Sequence, residues 1–177
     1  GRRLIIADAP GHEQYTRNMA VAATRADIAL VLVDATRGIR TQTLRHLTMC
    51  SLMGVTKIAV VVNKLDGAGY SQQVFEDVQK GLGETISRLE ITKIQFIPLS
   101  ALAGDNVVYP SEKMSWYQGP TLLEYIQEWE MEESEDNLPR LGVQVISRAK
   151  NFRGVAGTVF GGSFSVGDEV KVLPSGK

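Results

Sequence analysis

Three short stretches of the sequence place side chains able to do chemistry directly after apolar runs. They are Asp8-Ala9-Pro10-Gly11-His12-Glu13 after Leu4–Ala7, Asn63-Lys64-Leu65-Asp66 after Lys57–Val62, and Ser100-Ala101-Leu102 after Phe96-Ile97-Pro98-Leu99. An ionised carboxylate such as that of Asp66 only accepts hydrogen bonds, and so suits a partner presenting two neighbouring N–H donors. Lys64 has an aliphatic stem that can lie along a flat ring while its ammonium stays in water, and the Asn63 amide can tie neighbouring loops together. Asp8 adds a second carboxylate and His12 an imidazole able to orient water. Each stretch also has a plain reading: a strand terminator before a Pro-Gly turn, a polar loop, and three small or apolar residues.

These residues need elements to position them. Leu4–Ala7, Ile28–Val33, Lys57–Val62 and Ile94–Pro98 are short runs rich in Ile, Val and Leu without polar alternation. Such runs predict strands of a parallel sheet covered on both faces. Between them, Leu44, Leu47, Cys50 and Ser51 within Thr41–Met53, and Val74, Val78, Leu82, Ile86 and Leu89, recur at helical spacing. Thr121–Glu130 predicts a further helix, with Leu122, Leu123, Ile126 and Trp129 on one face and Pro120 at its first turn. Strand and helix in alternation predict a doubly wound α/β domain, whose ligands sit outside the carboxyl ends of the strands. All three motifs fall at such ends. An acidic stretch, Glu130 to Asp136, then separates this part from Leu141–Ile146, Gly157–Phe160 and Glu169–Leu173, which predict antiparallel strands opening a barrel, with the boundary near Leu138.

In this order, the three motifs resemble the later guanine-nucleotide motifs of P-loop GTPases. The resemblance implies an α/β fold with a doubly wound, mostly parallel sheet that lacks its first strands, followed by the start of an antiparallel β-barrel. Residues 1–137 would form the later part of a GTPase domain, and 138–177 the first strands of a translation-factor-like barrel. The implied cofactors are GTP/GDP and Mg²⁺, held by Asp8, Ala9, Pro10, Gly11, His12, Asn63, Lys64, Leu65, Asp66, Ser100, Ala101 and Leu102. Asp66 would accept the ring N–H and exocyclic amine of guanine, a donor pair that adenine lacks, and the Ala101 N–H would meet the guanine carbonyl. Asp8 would hold Mg²⁺ through water, because Mg²⁺ keeps several waters and few protein ligands. The Gly11 N–H would face the γ-phosphate. His12 stands where translation-type members carry the residue that positions the attacking water, and is the expected catalytic residue. His46, mid-helix beside Arg45, is assigned no role.

Further residues narrow the resemblance. Gly11 to Met19, Asp34-Ala35-Thr36-Arg37-Gly38, Gln42-Thr43, Arg45-His46, Gly104-Asp105-Asn106-Val107, Trp116-Tyr117, Gly119 to Glu124, Phe152-Arg153-Gly154 and Val172 to Gly176 are similar to the large, GTP-binding subunit of bacterial sulfate adenylyltransferase. That family implies GTP hydrolysis coupled to adenylyl transfer from ATP to sulfate, a smaller catalytic adenylyltransferase subunit as partner and, in some members, a fused adenylylsulfate kinase domain. A translation-elongation-type GTPase acting on the ribosome is the alternative. Two departures touch loops: Gly67-Ala68-Gly69 is a looser linker than expected, and Ser115 replaces a Pro before Trp116.

Composition bounds the rest. Nineteen Lys+Arg against twenty Asp+Glu, net charge −1, provide no field for nucleic acid or an anionic membrane. The apolar runs are far shorter than the ~20 residues of a membrane-crossing helix. The one cysteine, Cys50, cannot form an internal disulfide, which makes the cytoplasm the default. No G-x-x-x-x-G-K-[ST] run occurs, and the sequence opens Gly-Arg-Arg without Met. The expectation is an internal piece of a longer protein, itself unable to hydrolyse GTP.

Overall fold

A computed structural model of the chain describes residues 4–11, 13–128, 138–150 and 152–175. The chain divides into two compact units, Gly1–Glu130 and Met131–Lys177.

In the first unit, β1 (Ala29–Asp34), β2 (Lys57–Asn63) and β3 (Lys93–Pro98) form a parallel sheet in the order β1-β2-β3. The register pairs Val31 with Val60 and Val60 with Phe96, so the three strands end together. Continuous β-branched residues suit β2, which is paired on both edges and covered on both faces. Ile58, Val60 and Val62 point to one side, where they meet Leu47 and Cys50 of α2 (Thr41–Leu52) and Phe75, Val78 and Leu82 of α3 (Gln72–Ser87). Ala59 points to the other side with Ile97 and Tyr125 of α4 (Leu122–Glu128). Helices on both faces of a parallel sheet give the doubly wound arrangement that the alternating pattern predicts. Burial pushes the Cys50 thiol pKa up, as befits a packed, inert side chain.

Local signals set the helix ends. The Ser71 Oγ accepts the Val74 N–H to cap α3. Thr121 and Glu124 form a reciprocal cap at α4, with Thr121 N–H to Glu124 Oε2 at 2.8 Å and Glu124 N–H to Thr121 Oγ1 at 3.2 Å. Thr121 is therefore the cap rather than the first helical residue; Trp129 and Glu130, like the acidic stretch as far as Asn137, lie outside the described residues. One helix, α1 (Thr16–Ala23), has no counterpart in the sequence reading.

Two predicted strands are not strands. Leu4–Ala7 is irregular and exposed, Ile5 to 90%, and no strand pairs with the free edge of β1 among the described residues. Without a neighbour to complete its ladder, an extended run gains nothing from β-propensity. Leu32 on β1 is correspondingly 62% exposed. Glu169–Leu173 fails for the same reason: the second unit contains one antiparallel pair, β4 (Arg140–Ala149) with β5 (Phe152–Phe160), and offers it no partner among the described residues. Within that pair a β-carbon at Gly157 would collide with the Gly142 carbonyl, so the close approach requires glycine. No helix among the described residues is long and apolar enough to cross a membrane.

Burial predicts the cost of truncation. Leu82→Ala should lower stability by about 2–5 kcal/mol, and Ile5→Ala should stay within about 0.5 kcal/mol, both read by urea denaturation. Equal losses at the two positions would show that residues 4–7 are packed.

Candidate functional site

The turns leaving β1, β2 and β3 are joined by side chains. After Asn63 ends β2, Lys64 takes a left-handed backbone, φ 65°, and directs the chain into a 3-10 turn over Leu65–Ala68. Leu65 is fully buried and fastens that turn to the core. The Asn63 Oδ1 accepts two N–H groups, Lys64 at 2.7 Å and Ala101 at 3.0 Å, and so links the loop after β2 to the loop after β3. A second link runs from the Leu65 N–H to the Leu99 carbonyl at 3.3 Å. The third is the shortest: the buried Ser100 donates its hydroxyl to Asp66 Oδ1 at 2.6 Å, while its oxygen accepts the Ala103 N–H at 3.2 Å.

The loop after β1 joins from the other side. Asp34 Oδ1 accepts the Thr36 hydroxyl at 2.6 Å and the Thr36 N–H at 2.9 Å, and its Oδ2 meets the Lys64 ammonium at 2.8 Å. The Lys64 contact first, and the Thr36 hydroxyl second, lower the Asp34 pKa from 3.8 to about 2. The Lys64 ammonium is thus paired rather than simply solvated, with its side chain 61% exposed. Sequence reasoning assigned Asp34 no role in the site, although its place after an apolar strand was the same signal that marked the other motifs.

Both loop departures have local explanations. A β-carbon at Gly67 would sit 3.0 Å from Thr36 Cγ2, and Gly69 has φ 63°, so the Gly67-Ala68-Gly69 linker is tight rather than loose. Ser115 has φ −57°, a value that proline also adopts, so the exchange leaves the backbone unaffected.

The structure therefore brings Asn63, Lys64, Leu65, Asp66, Ser100 and Ala101 together. Leu102 follows them, 90% exposed. The Ala101 N–H is engaged by Asn63, so a purine carbonyl would have to share or replace that contact. The first motif is not joined to them: Asp8 and Gly11 are exposed, and no hydrogen bond links Asp8–Gly11 to the other two loops among the described residues. Pro10 lines a cleft of about 580 Å³ with Thr16 and Met19 of α1 and Leu44, His46 and Met49 of α2. His12 lies outside the described residues. No group of three metal-binding side chains occurs among the described residues. An exposed single carboxylate at Asp8 is nonetheless a donor set that fits Mg²⁺ held largely by water and phosphate.

The model of the "Elongation factor Tu GTP binding domain" family matches residues 1–132. The chain belongs to that family. Among curated relatives, sulfate adenylyltransferase subunit 1 of Francisella tularensis subsp. novicida (strain U112) is 46% identical over 177 residues, covering 99% of this chain and 38% of that protein. The same-named protein of Aeromonas hydrophila subsp. hydrophila is 48% identical over 178 residues, with the same coverage. This chain thus spans 38% of the length of these relatives. Among solved structures, Sup35 complexed with GMPPNP is similar at TM-score 0.56 and 26% identity, over 86% of this chain and 41% of that one. Family membership gives the parallel sheet and its three loops their context: in such sheets, loops at the carboxyl ends of the strands are where ligands bind.

The Asp34–Lys64 pair is open to titration. Its stabilisation is complete above the ordinary value of 3.8 and fades as pH falls towards about 2. Lys64→Met should return the Asp34 pKa towards 3.8, read by carboxyl-carbon NMR; an unchanged titration would mean that the ion pair is not formed in solution.

Proposed function

We propose that the chain is the guanine-reading part of the large, GTP-binding subunit of a sulfate adenylyltransferase, which couples GTP hydrolysis to formation of adenylylsulfate from ATP and sulfate. The observation that carries this reading is the Asp66 carboxylate, fixed by the Ser100 hydroxyl at 2.6 Å where the loops after β2 and β3 meet. One hydrogen bond leaves a carboxylate with free acceptor sites on both oxygens. Those sites match the ring N–H and exocyclic amine of guanine and have no match in adenine. Lys64, anchored by Asp34, would lay its stem along the purine, and the loop tied by Asn63 would bring the Ala101 N–H towards the guanine carbonyl.

The remaining roles are proposed for a longer protein, of the relatives' full length and containing this chain. Asp8 would hold Mg²⁺ through water, and the ion would offset charge on the phosphate oxygens. The Gly11 N–H would face the γ-phosphate, and His12 would orient the attacking water. Phosphoryl transfer through a loose transition state needs placement more than a strong base, so an imidazole suffices. The energy released would drive an uphill adenylyl transfer on a smaller catalytic subunit, in the cytoplasm, with an adenylylsulfate kinase domain fused in some members. The name carried by the curated relatives favours this over a translation-elongation role. Residues 1–137 and 138–177 are proposed as GTPase domain and barrel opening.

In the longer protein, Asp66→Asn should lower GTP affinity about ten- to a hundredfold and favour xanthosine triphosphate; unchanged GTP binding would refute the base-reading role. His12→Ala should slow hydrolysis about a hundredfold with affinity retained; lost affinity with unchanged turnover per bound GTP would make the histidine structural. Capture of the small subunit with GTP-stimulated adenylylsulfate formation is expected, whereas ribosome-stimulated hydrolysis without it would favour the translation reading.

A further inference from the structure

Behind Ser100 lies a second cluster that the base-reading motifs do not include. The Tyr70 hydroxyl donates to Asp105 Oδ2 at 2.6 Å, Ser111 Oγ donates to Asp105 Oδ1 at 2.9 Å, and the Lys113 ammonium donates to both Asp105 Oδ2 (3.0 Å) and the Tyr70 oxygen (3.2 Å). With both carboxylate oxygens occupied, Asp105 is firmly held, and its pKa is lowered by Tyr70 first and then Lys113. The backbone of this cluster reaches the base loops at two places. The Asp105 carbonyl accepts the Ser100 N–H at 3.1 Å, and the Tyr70 N–H donates to the Leu65 carbonyl at 2.8 Å. Tyr70 adopts φ 54°, uncommon for a residue with a β-carbon, and the Trp116 indole N–H fixes its carbonyl at 3.1 Å.

Followed in order, the contacts close a ring. Asp66 is held by Ser100, Ser100 by Asp105, Asp105 by Tyr70, and Tyr70 returns to Leu65, the residue before Asp66. We propose that Tyr70 and Asp105, with Lys113 bridging them, are positioning residues for base selectivity, because their ring holds the Asp66 carboxylate at the distance and angle that guanine requires. The proposal rests on the base-reading role of Asp66. A carboxylate held from one side only would still accept hydrogen bonds, but it would fit two donors at fixed separation less well. Loosening the ring should therefore weaken the contact to the exocyclic amine more than contacts that every purine nucleotide shares.

The test uses the longer protein and two nucleotides that differ by that amine, GDP and IDP. Tyr70→Phe removes only the hydroxyl, and Asp105→Asn removes the charge while retaining the backbone carbonyl. Each should narrow the GDP-over-IDP affinity ratio by about three- to tenfold, IDP weakening less than GDP because hypoxanthine keeps the ring N–H that Asp66 accepts but lacks the amine. Lys113→Met, at a side chain 55% exposed, should shift the ratio in the same direction by less, and provides the test if the other variants fold poorly. Equal weakening of both nucleotides, or no change in either, would overturn the proposal. Asp66→Asn is the control: if it does not move preference towards xanthine nucleotides, both readings fall, and if it does while the ring variants leave the ratio unchanged, only the positioning role is lost.

Discussion

The hydrogen bond from Ser100 Oγ to Asp66 Oδ1, at 2.6 Å, joins loops that leave different strands. A carboxylate on one flexible turn could face water in many directions, and fixing it costs side-chain entropy each time a ligand binds. Here the cost is met during folding, because Ser100 is buried and its N–H, hydroxyl and neighbouring Ala101 N–H are all engaged. The proposed guanine reader is thus preorganised before any base arrives.

That bond depends on the sheet beneath it. β2 is paired on both edges and almost completely buried from Ile58 to Val62. Its in-register neighbours bring Asp34 beside Asn63 and leave Leu99 free to accept the Leu65 N–H. Parallel strands in register therefore deliver three turns to one edge, and short polar side chains complete the join. Lys64 shows how the electrostatics follow: its left-handed backbone turns the side chain to Asp34, and the pair holds the carboxyl at about 2.

Much of this was legible in the sequence. Short runs rich in Ile, Val, Leu and Phe revealed β1, β2 and β3, the helical spacing of Val78 and Leu82 revealed α3, and the two base loops announced themselves by polar residues at strand ends. What escaped required partners distant in the chain. Leu4–Ala7 and Glu169–Leu173 have strand-like residues, but a strand exists only when a neighbour accepts its hydrogen bonds. The Asp34–Lys64 pair spans 30 residues and the Tyr70–Asp105 pair 35, so neither leaves a local pattern to read. The tightness of Gly67-Ala68-Gly69 was hidden for the same reason, since it is set by Thr36 on another loop.

A crystal structure of the longer protein with GDP tests the central claim most directly. The account predicts both Asp66 oxygens within hydrogen-bonding distance of the guanine ring N–H and exocyclic amine, with Ser100 still bound to Oδ1. A guanine seated away from the loops after β2 and β3, or an Asp66 turned from the base, would contradict it.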